Sequence, residues 1–229
     1  MSARSLAAVT IATGALLLAS AVPASGQSRG RCDARGAETI LATKSARVFA
    51  VQIRGTNEAR IYGCLYSRNR RWSLGVESEC QGATQVSGFI LAGRFLAYVE
   101  SFCDLDTASD YVVVKDLRTG QDRFRAPAAG GAFASEGDPS TRVSDLALSR
   151  TGSVAWIGEW DANSNRAIGD PNDNRQVLKL EVGSPPGGTV LAEGVDIEPG
   201  SLGLSARTSA GVSRVYWTKA GAVGTSTLD

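Results

Sequence analysis

Short apolar runs recur four times along the chain, at Arg47–Val51, Arg94–Tyr98, Ser153–Ile157 and Arg214–Thr218. Each is followed by a polar loop and usually by a second β-rich run. A strand unit repeated at a long period describes sheets that stack and bury one another. The pattern predicts a first sheet from Glu38–Thr43, Arg47–Ile53, Ala59–Tyr66 and Arg71–Val76, and a second from Gly88–Ala92, Arg94–Phe102, Asp110–Leu117 and Gln121–Arg125. A third follows from Val143–Ser149, Ser153–Trp160, Gln176–Val182 and Thr189–Ala192. The fourth has only Ser201–Ala206, Arg214–Lys219 and Ala222–Leu228, so it lacks an outer strand.

The patterning also distinguishes strands within a sheet. Leu178, Leu180 and Val182 alternate with Lys179 and Glu181, which is the signature of one buried and one wet face. Val154–Ile157 is apolar on both faces, as a strand sandwiched between neighbouring sheets must be. Turn chemistry separates the strands at Arg54–Asn57, Ser67–Asn69 and Arg118–Gly120. The Gly- and Ala-rich connection Ala126–Ser140 is the longest stretch without a pattern, expected to be a surface loop or lid. The fold expectation is one all-β domain over residues 27–229, a β-propeller-like array of about four antiparallel four-stranded sheets. The missing outer strand leaves an edge that the segment around Cys32, a partner strand or a second copy could cover.

Two segments carry a resemblance. Leu148–Trp156 (LSRTGSVAW) resembles the strand-turn-strand signature of TolB-like and WD40-like propeller repeats, with Arg150 and Thr151 in place of the usual Pro and Asp. Val114–Gly120 (VKDLRTG) is similar to the strand-plus-turn unit of the same repeats and of quinoprotein-type propellers. Gly120 there supplies the positive φ that the hairpin needs. The resemblance implies an exported propeller whose loops on one rim contact a partner, and it brings no active site with it.

The N-terminus has one charge, Arg4, an apolar stretch from Leu6 to Ala21, then Pro23 and the small residues Ala24–Gly26. That order is a secretory signal peptide over residues 1–26, with an uncleaved anchor as the alternative. Export to the cell envelope or medium follows, with no membrane span once the signal is removed. In that compartment the four cysteines, Cys32, Cys64, Cys80 and Cys103, are expected to form two disulfides. Cys80 and Cys103 fall on one rim of the predicted array, so they are paired with each other, leaving Cys32 with Cys64.

Loss of Arg4 leaves basic and acidic residues balanced, a composition without the electrostatic footprint of nucleic-acid binding. The chain has no histidine. Ser-His-Asp and Cys-His machineries and histidine metal sites are therefore excluded. Carboxylate chemistry remains, with Glu100 and Glu159 at related strand ends; the competing reading makes them exposed charges without a catalytic partner. The loop Asp161–Asp170 presents Asp161, Asn163 and Asn165 at alternating positions, the spacing of a calcium loop. Arg166 stands where that loop needs glycine and no twelfth-position Glu follows, so no cofactor is expected and calcium is the alternative.

The loop containing Asp104, Asp106 and Asp110 occupies the equivalent place one sheet earlier, which predicts an acidic rim suited to a cation or a basic partner. Trp156 and Trp217 occupy matching repeat positions and read as core, whereas Trp160 beside the polar loop reads as an exposed contact. These features converge on a non-catalytic binding module for an unidentified protein or glycan. Its expected contacts are Asp104, Asp106, Asp110, Asp161, Asn163, Asn165, Asp170 and Trp160. The alternatives are a carboxylate-dependent glycan hydrolase or lyase and a structural protein that dimerises through its open edge.

Overall fold

The computed structural model describes residues 32–77, 84–103, 108–129, 140–160, 173–185, 187–206 and 212–229. The expected signal segment, Cys80 and residues 104–107 and 161–172 lie outside them. The described strands form successive antiparallel meanders. The first comprises β1 (Ala37–Ala42), β2 (Ala46–Gln52), β3 (Ala59–Leu65) and β4 (Arg70–Glu77), with a 3-10 turn at Tyr66–Arg68. The second comprises β5 (Thr84–Ala92), β6 (Phe95–Cys103), β7 (Ala108–Asp116) and β8 (Gln121–Pro127). The third comprises β9 (Thr141–Leu148), β10 (Val154–Trp160), β11 (Asn174–Leu180) and β12 (Thr189–Glu193). The last is three-stranded, with β13 (Gly203–Leu204), β14 (Ser213–Lys219) and β15 (Ala222–Leu228).

The grouping follows the sequence pattern, with two corrections. β5 starts at Thr84 rather than Gly88, because a register shift between Ser87 and Ile90 lets the strand continue through a kink that the sequence pattern reads as its start. The first three meanders are also not separate sheets. Single parallel bridges, Val76 to Gln85 and Ser109 to Thr141, join them into one large mixed sheet, and only the last meander stands apart. Among the described residues no strand pair joins the first meander to the fourth, so the array is not closed by strand pairing.

Alternating side chains build the core as layers between meanders. On β6, Leu96 and Tyr98 join Val48, Ile61 and Leu74 of the first meander, whereas Phe95, Ala97 and Val99 join Leu146, Val154 and Trp156 of the third. β10 repeats the arrangement, sending Val154 and Trp156 one way and Ala155 and Ile157 toward Val215 and Trp217 of β14. Every residue of β10 is buried, as expected for a strand apolar on both faces. Trp156 and Trp217 are core residues, as their matching positions predict.

Hydrogen bonds cross each seam. The Trp72 indole donates to the Leu117 carbonyl (3.0 Å) and the Ser45 hydroxyl to the Gly93 carbonyl (3.1 Å) between the first two meanders. The Trp156 indole donates to the Ala128 carbonyl (2.7 Å) between the second and third. Between the third and fourth, the Leu202 N–H donates to the Asp145 carboxylate (2.8 Å) and the Lys179 ammonium to the Thr227 carbonyl (3.1 Å).

Two glycines are dictated by these seams. Gly120 has the positive φ expected of its turn (+81°), and its α-carbon lies against the Trp72 ring. A Cβ on Gly158 would fall far inside van der Waals contact with the Ala128 carbonyl, the same oxygen that Trp156 holds.

Cys32 and Cys64 are disulfide-bonded, tying the segment before β1 to β3. The Cys32 N–H also donates to the Asn69 side chain (3.3 Å). The described part of this segment, from Cys32 onward, therefore belongs to the first meander, and among the described residues it pairs with no strand of the fourth. The predicted Cys80–Cys103 pair lies outside the described residues.

Two outcomes are expected. Gly158→Ala must displace a hydrogen-bonded backbone, so it should cost about 2–4 kcal/mol and lower the Tm by roughly 5–15 °C in thermal unfolding. The Cys32–Cys64 bridge closes a sequence separation of 32 residues. Its loss in the paired Cys32→Ala, Cys64→Ala variant should cost about 3–4 kcal/mol in a denaturant titration on the chain-entropy account.

Candidate functional site

Antiparallel alternation brings the β1–β2, β5–β6 and β9–β10 turns and the facing ends of β13 and β14 to one end of the strands. There they line an open cavity of about 770 Å³. Thr43, Lys44 and Ser45 come from the first meander, Leu91, Ala92 and Gly93 from the second, Leu148 and Arg150 from the third, and Leu204–Ala206 with Ser213 from the fourth. This volume suits a small organic ligand.

Each connection is held by its own chemistry. The Thr43 hydroxyl accepts from the Ala46 N–H (3.2 Å), which closes the β1–β2 turn and leaves Lys44 exposed at its tip. Ser149 does the same in the third meander, accepting from the N–H groups of Thr151 (3.3 Å) and Ser153 (3.1 Å), with Arg150 exposed between them. The Arg214 N–H donates to the Ser205 hydroxyl (2.9 Å) across the last connection. Lys44 and Arg150 form no ion pair with the described residues, and no carboxylate lines the cavity.

Of the residues expected to make contacts, only Asp110 and Trp160 lie within the described residues; Asp104, Asp106, Asp161, Asn163, Asn165 and Asp170 lie outside them. Trp160 is 3% exposed, so the exposed contact expected beside the polar loop is instead a buried side chain ending β10. Asp110 is buried as well, at the seam between the second and third meanders. Its carboxylate accepts from the Ser101 hydroxyl (2.6 Å) and the Val143 N–H (2.8 Å), and its own N–H donates to the Thr141 hydroxyl (3.3 Å). Burial pushes its pKa above the ordinary 3.8, against the Ser101 and Val143 hydrogen bonds and the nearby Arg142 charge, which lower it. Asp145 is raised too, by burial, while accepting from the Leu202 and Leu146 N–H groups.

The two candidate catalytic carboxylates also have partners the sequence did not reveal. Glu100 pairs with Arg125 (2.9 Å). Glu159 is buried rather than an exposed strand-end charge, and it pairs with Arg175 (3.0 Å), the residue opposite it in the β10–β11 register. Arg175 in turn donates to the Val195 carbonyl (2.9 Å). This is the wiring of a structural ion pair, whose disruption leaves an uncompensated buried charge. Among the described residues no cluster of acidic or cysteine side chains could hold a metal ion, and no helix is long and apolar enough to cross a membrane.

Lys44 and Arg150 were not singled out in the sequence as binding residues. The available signal was positional: Arg150 replaces the proline of the repeat turn, and Lys44 occupies the matching turn two meanders earlier.

No family model matches the chain, and no curated protein matches it. A solved structure from work on two prolyl endopeptidases resembles it with a TM-score of 0.45 at 12% identity, over 87% of this chain and 30% of that one. The chain thus spans less than a third of that protein's length. At this level the likeness assigns the chain no chemistry, and the TolB-like and WD40-like resemblance stays one of motif.

The raised pKa of Asp110 gives a signed prediction. A carboxyl whose folded pKa lies above its unfolded one stabilises the fold fully below the unfolded value, and that contribution is lost as pH rises through the folded one. Acidification from neutral toward pH 4 should therefore stabilise the wild type relative to Asp110→Asn, which keeps an acceptor for Val143 and does not titrate. Asp110→Ala should cost about 1–3 kcal/mol at pH 7, because it strands the Val143 N–H. Chemical denaturation of the three proteins between pH 4 and 8 checks both statements.

Proposed function

We propose that the chain is an exported, non-catalytic binding module built on a propeller-like arrangement of four meanders, and that its ligand enters the cavity at the hairpin end. The observation that carries this reading is the convergence of turns from all four meanders on one cavity. A site assembled this way places variable loops on a rigid sheet scaffold, which is how binding proteins separate recognition from stability. The Cys32–Cys64 bridge suits an oxidising compartment and so supports export.

Two specific observations weigh on the alternatives. Pairing of Glu100 with Arg125 and of buried Glu159 with Arg175 weighs against the glycan hydrolase, whose candidate carboxylates these are. The free edge of β15 keeps dimerisation as the second reading, since among the described residues only β14 pairs with that strand.

A screen of acidic, neutral and basic fragments by amide NMR tests the proposal. Bound fragments should shift Ser45, Gly93, Arg150 and Ser205 together. Shifts confined to the opposite end of the strands, or no binding by any fragment, would overturn it. Mass that rises with concentration, coupled to perturbation of β15 amides, would favour the dimer.

A further inference from the structure

The proposed site also has a charge preference. Exposed Lys44, Arg68, Arg94, Arg118 and Arg150 lie in or beside the turns at the hairpin end. The acidic residues at this end include Asp116, committed to Arg94 (3.2 Å) and to the Arg118 N–H (2.8 Å), Asp122, paired with Lys115, Glu181, paired with Lys179 (2.9 Å), and exposed Asp229. At the opposite end the exposed turn residues include Glu58, Glu77, Glu193, Asp196 and Glu198, set against Arg54 and Lys219. Among the described residues basic side chains thus outnumber acidic ones at the cavity end, and the balance reverses at the other end. Such a field draws anions toward the hairpin end.

Within the cavity the same preference becomes specific. The cations come from alternate meanders, Lys44 from the first and Arg150 from the third, while Leu91, Leu148 and Leu204 supply apolar lining. Hydroxyls at Thr43, Ser45, Ser205 and Ser213 complete the wall. Among the described residues neither cation has an ion-pair partner and no carboxylate lines the cavity, so the positive charge is available to an incoming group. The expectation of an acidic recognition rim concerned the other end of the strands; the cavity has the opposite sign.

Resting on the binding-module reading, we infer that this cavity recognises a small amphiphilic anion, with an acidic head group between Lys44 and Arg150 and a short apolar body against the leucine wall. Phosphate and carboxylate heads share the chemistry that the two cations would select. Arginine matches either planar or tetrahedral oxygens bidentately, and lysine adds a mobile point charge.

Hexyl phosphate and hexanoate, with hexanol and hexylamine as neutral and cationic counterparts, form a direct test by amide NMR titration of the purified protein. The two anions should bind at Gly93, Arg150 and Ser205 more tightly than hexanol, with hexylamine weakest, and their relative affinity identifies the preferred head group. Lys44→Gln and Arg150→Gln should each weaken anion binding by roughly threefold to tenfold, leave hexanol unchanged and keep the wild-type Tm. Raising the salt concentration should weaken the anions alone. Hexanol binding at the same amides as tightly as the anions, with no loss in the double variant, would overturn the anion assignment while leaving the cavity as the binding site. Anion binding at the opposite end would overturn both.

Discussion

Two-sided burial of the middle strands is the constraint from which the rest of this architecture follows. β6, β7 and β10 each contribute alternate side chains to two different apolar layers, so the second and third meanders each need a neighbour on both faces. Stacking is therefore obligatory, and it fixes where every turn emerges. One-residue slippage on β10 would send Trp156 toward the fourth meander and Ile157 toward the second, underfilling one layer and overfilling the other. Register is consequently specified twice, once from each side.

Apolar layers alone resist sliding only weakly, and the seams supply direction. Trp72, Trp156, Asp110 and Asp145 each place a polar atom where it meets a backbone group of the next meander. Buried polar groups of this kind cost free energy when unpaired, so they penalise misaligned stacking more than they strengthen the correct one. The two aspartates carry raised pKa values for the same reason: they are placed for geometry, at the expense of their charge. Gly158 completes the second seam from the other side, since only the absence of a Cβ lets the Ala128 carbonyl approach β10.

Strand positions were legible in the sequence because they rest on local periodicity. The four groups, the all-buried Val154–Ile157 run and the core placement of Trp156 and Trp217 all follow from alternation that a few residues reveal. The Cys32–Cys64 pair was legible by elimination, from four cysteines in an expected exported chain and the expected pairing of Cys80 with Cys103. The chemistry was not, for two physical reasons. Asp110 and Glu159 sit near strand ends, where charged residues usually face water, and only the cross-strand and cross-seam partners Ser101, Val143 and Arg175 explain their burial. Lys44 and Arg150 are single residues in short turns, without a motif; their meaning depends on separate hairpins meeting at one end, which no local window contains. The acidic segments are compositionally distinct in the sequence, whereas the turns that line the cavity are not.

A quasi-repeated frame would ordinarily offer a ligand several equivalent poses, one per repeat. Here the repetition stops at the backbone. Among the residues that line the cavity, the first meander supplies a lysine, the second a glycine, the third an arginine and the fourth a serine-alanine pair. On the proposed reading, an occupant turned from one meander toward the next would exchange a charged neighbour for an uncharged one, so the turn tips would distinguish poses that the repeated backbone does not. Substitution at those tips would leave the layers beneath untouched, and any recognition at this end would then rest on a few side chains carried by a frame that need not change.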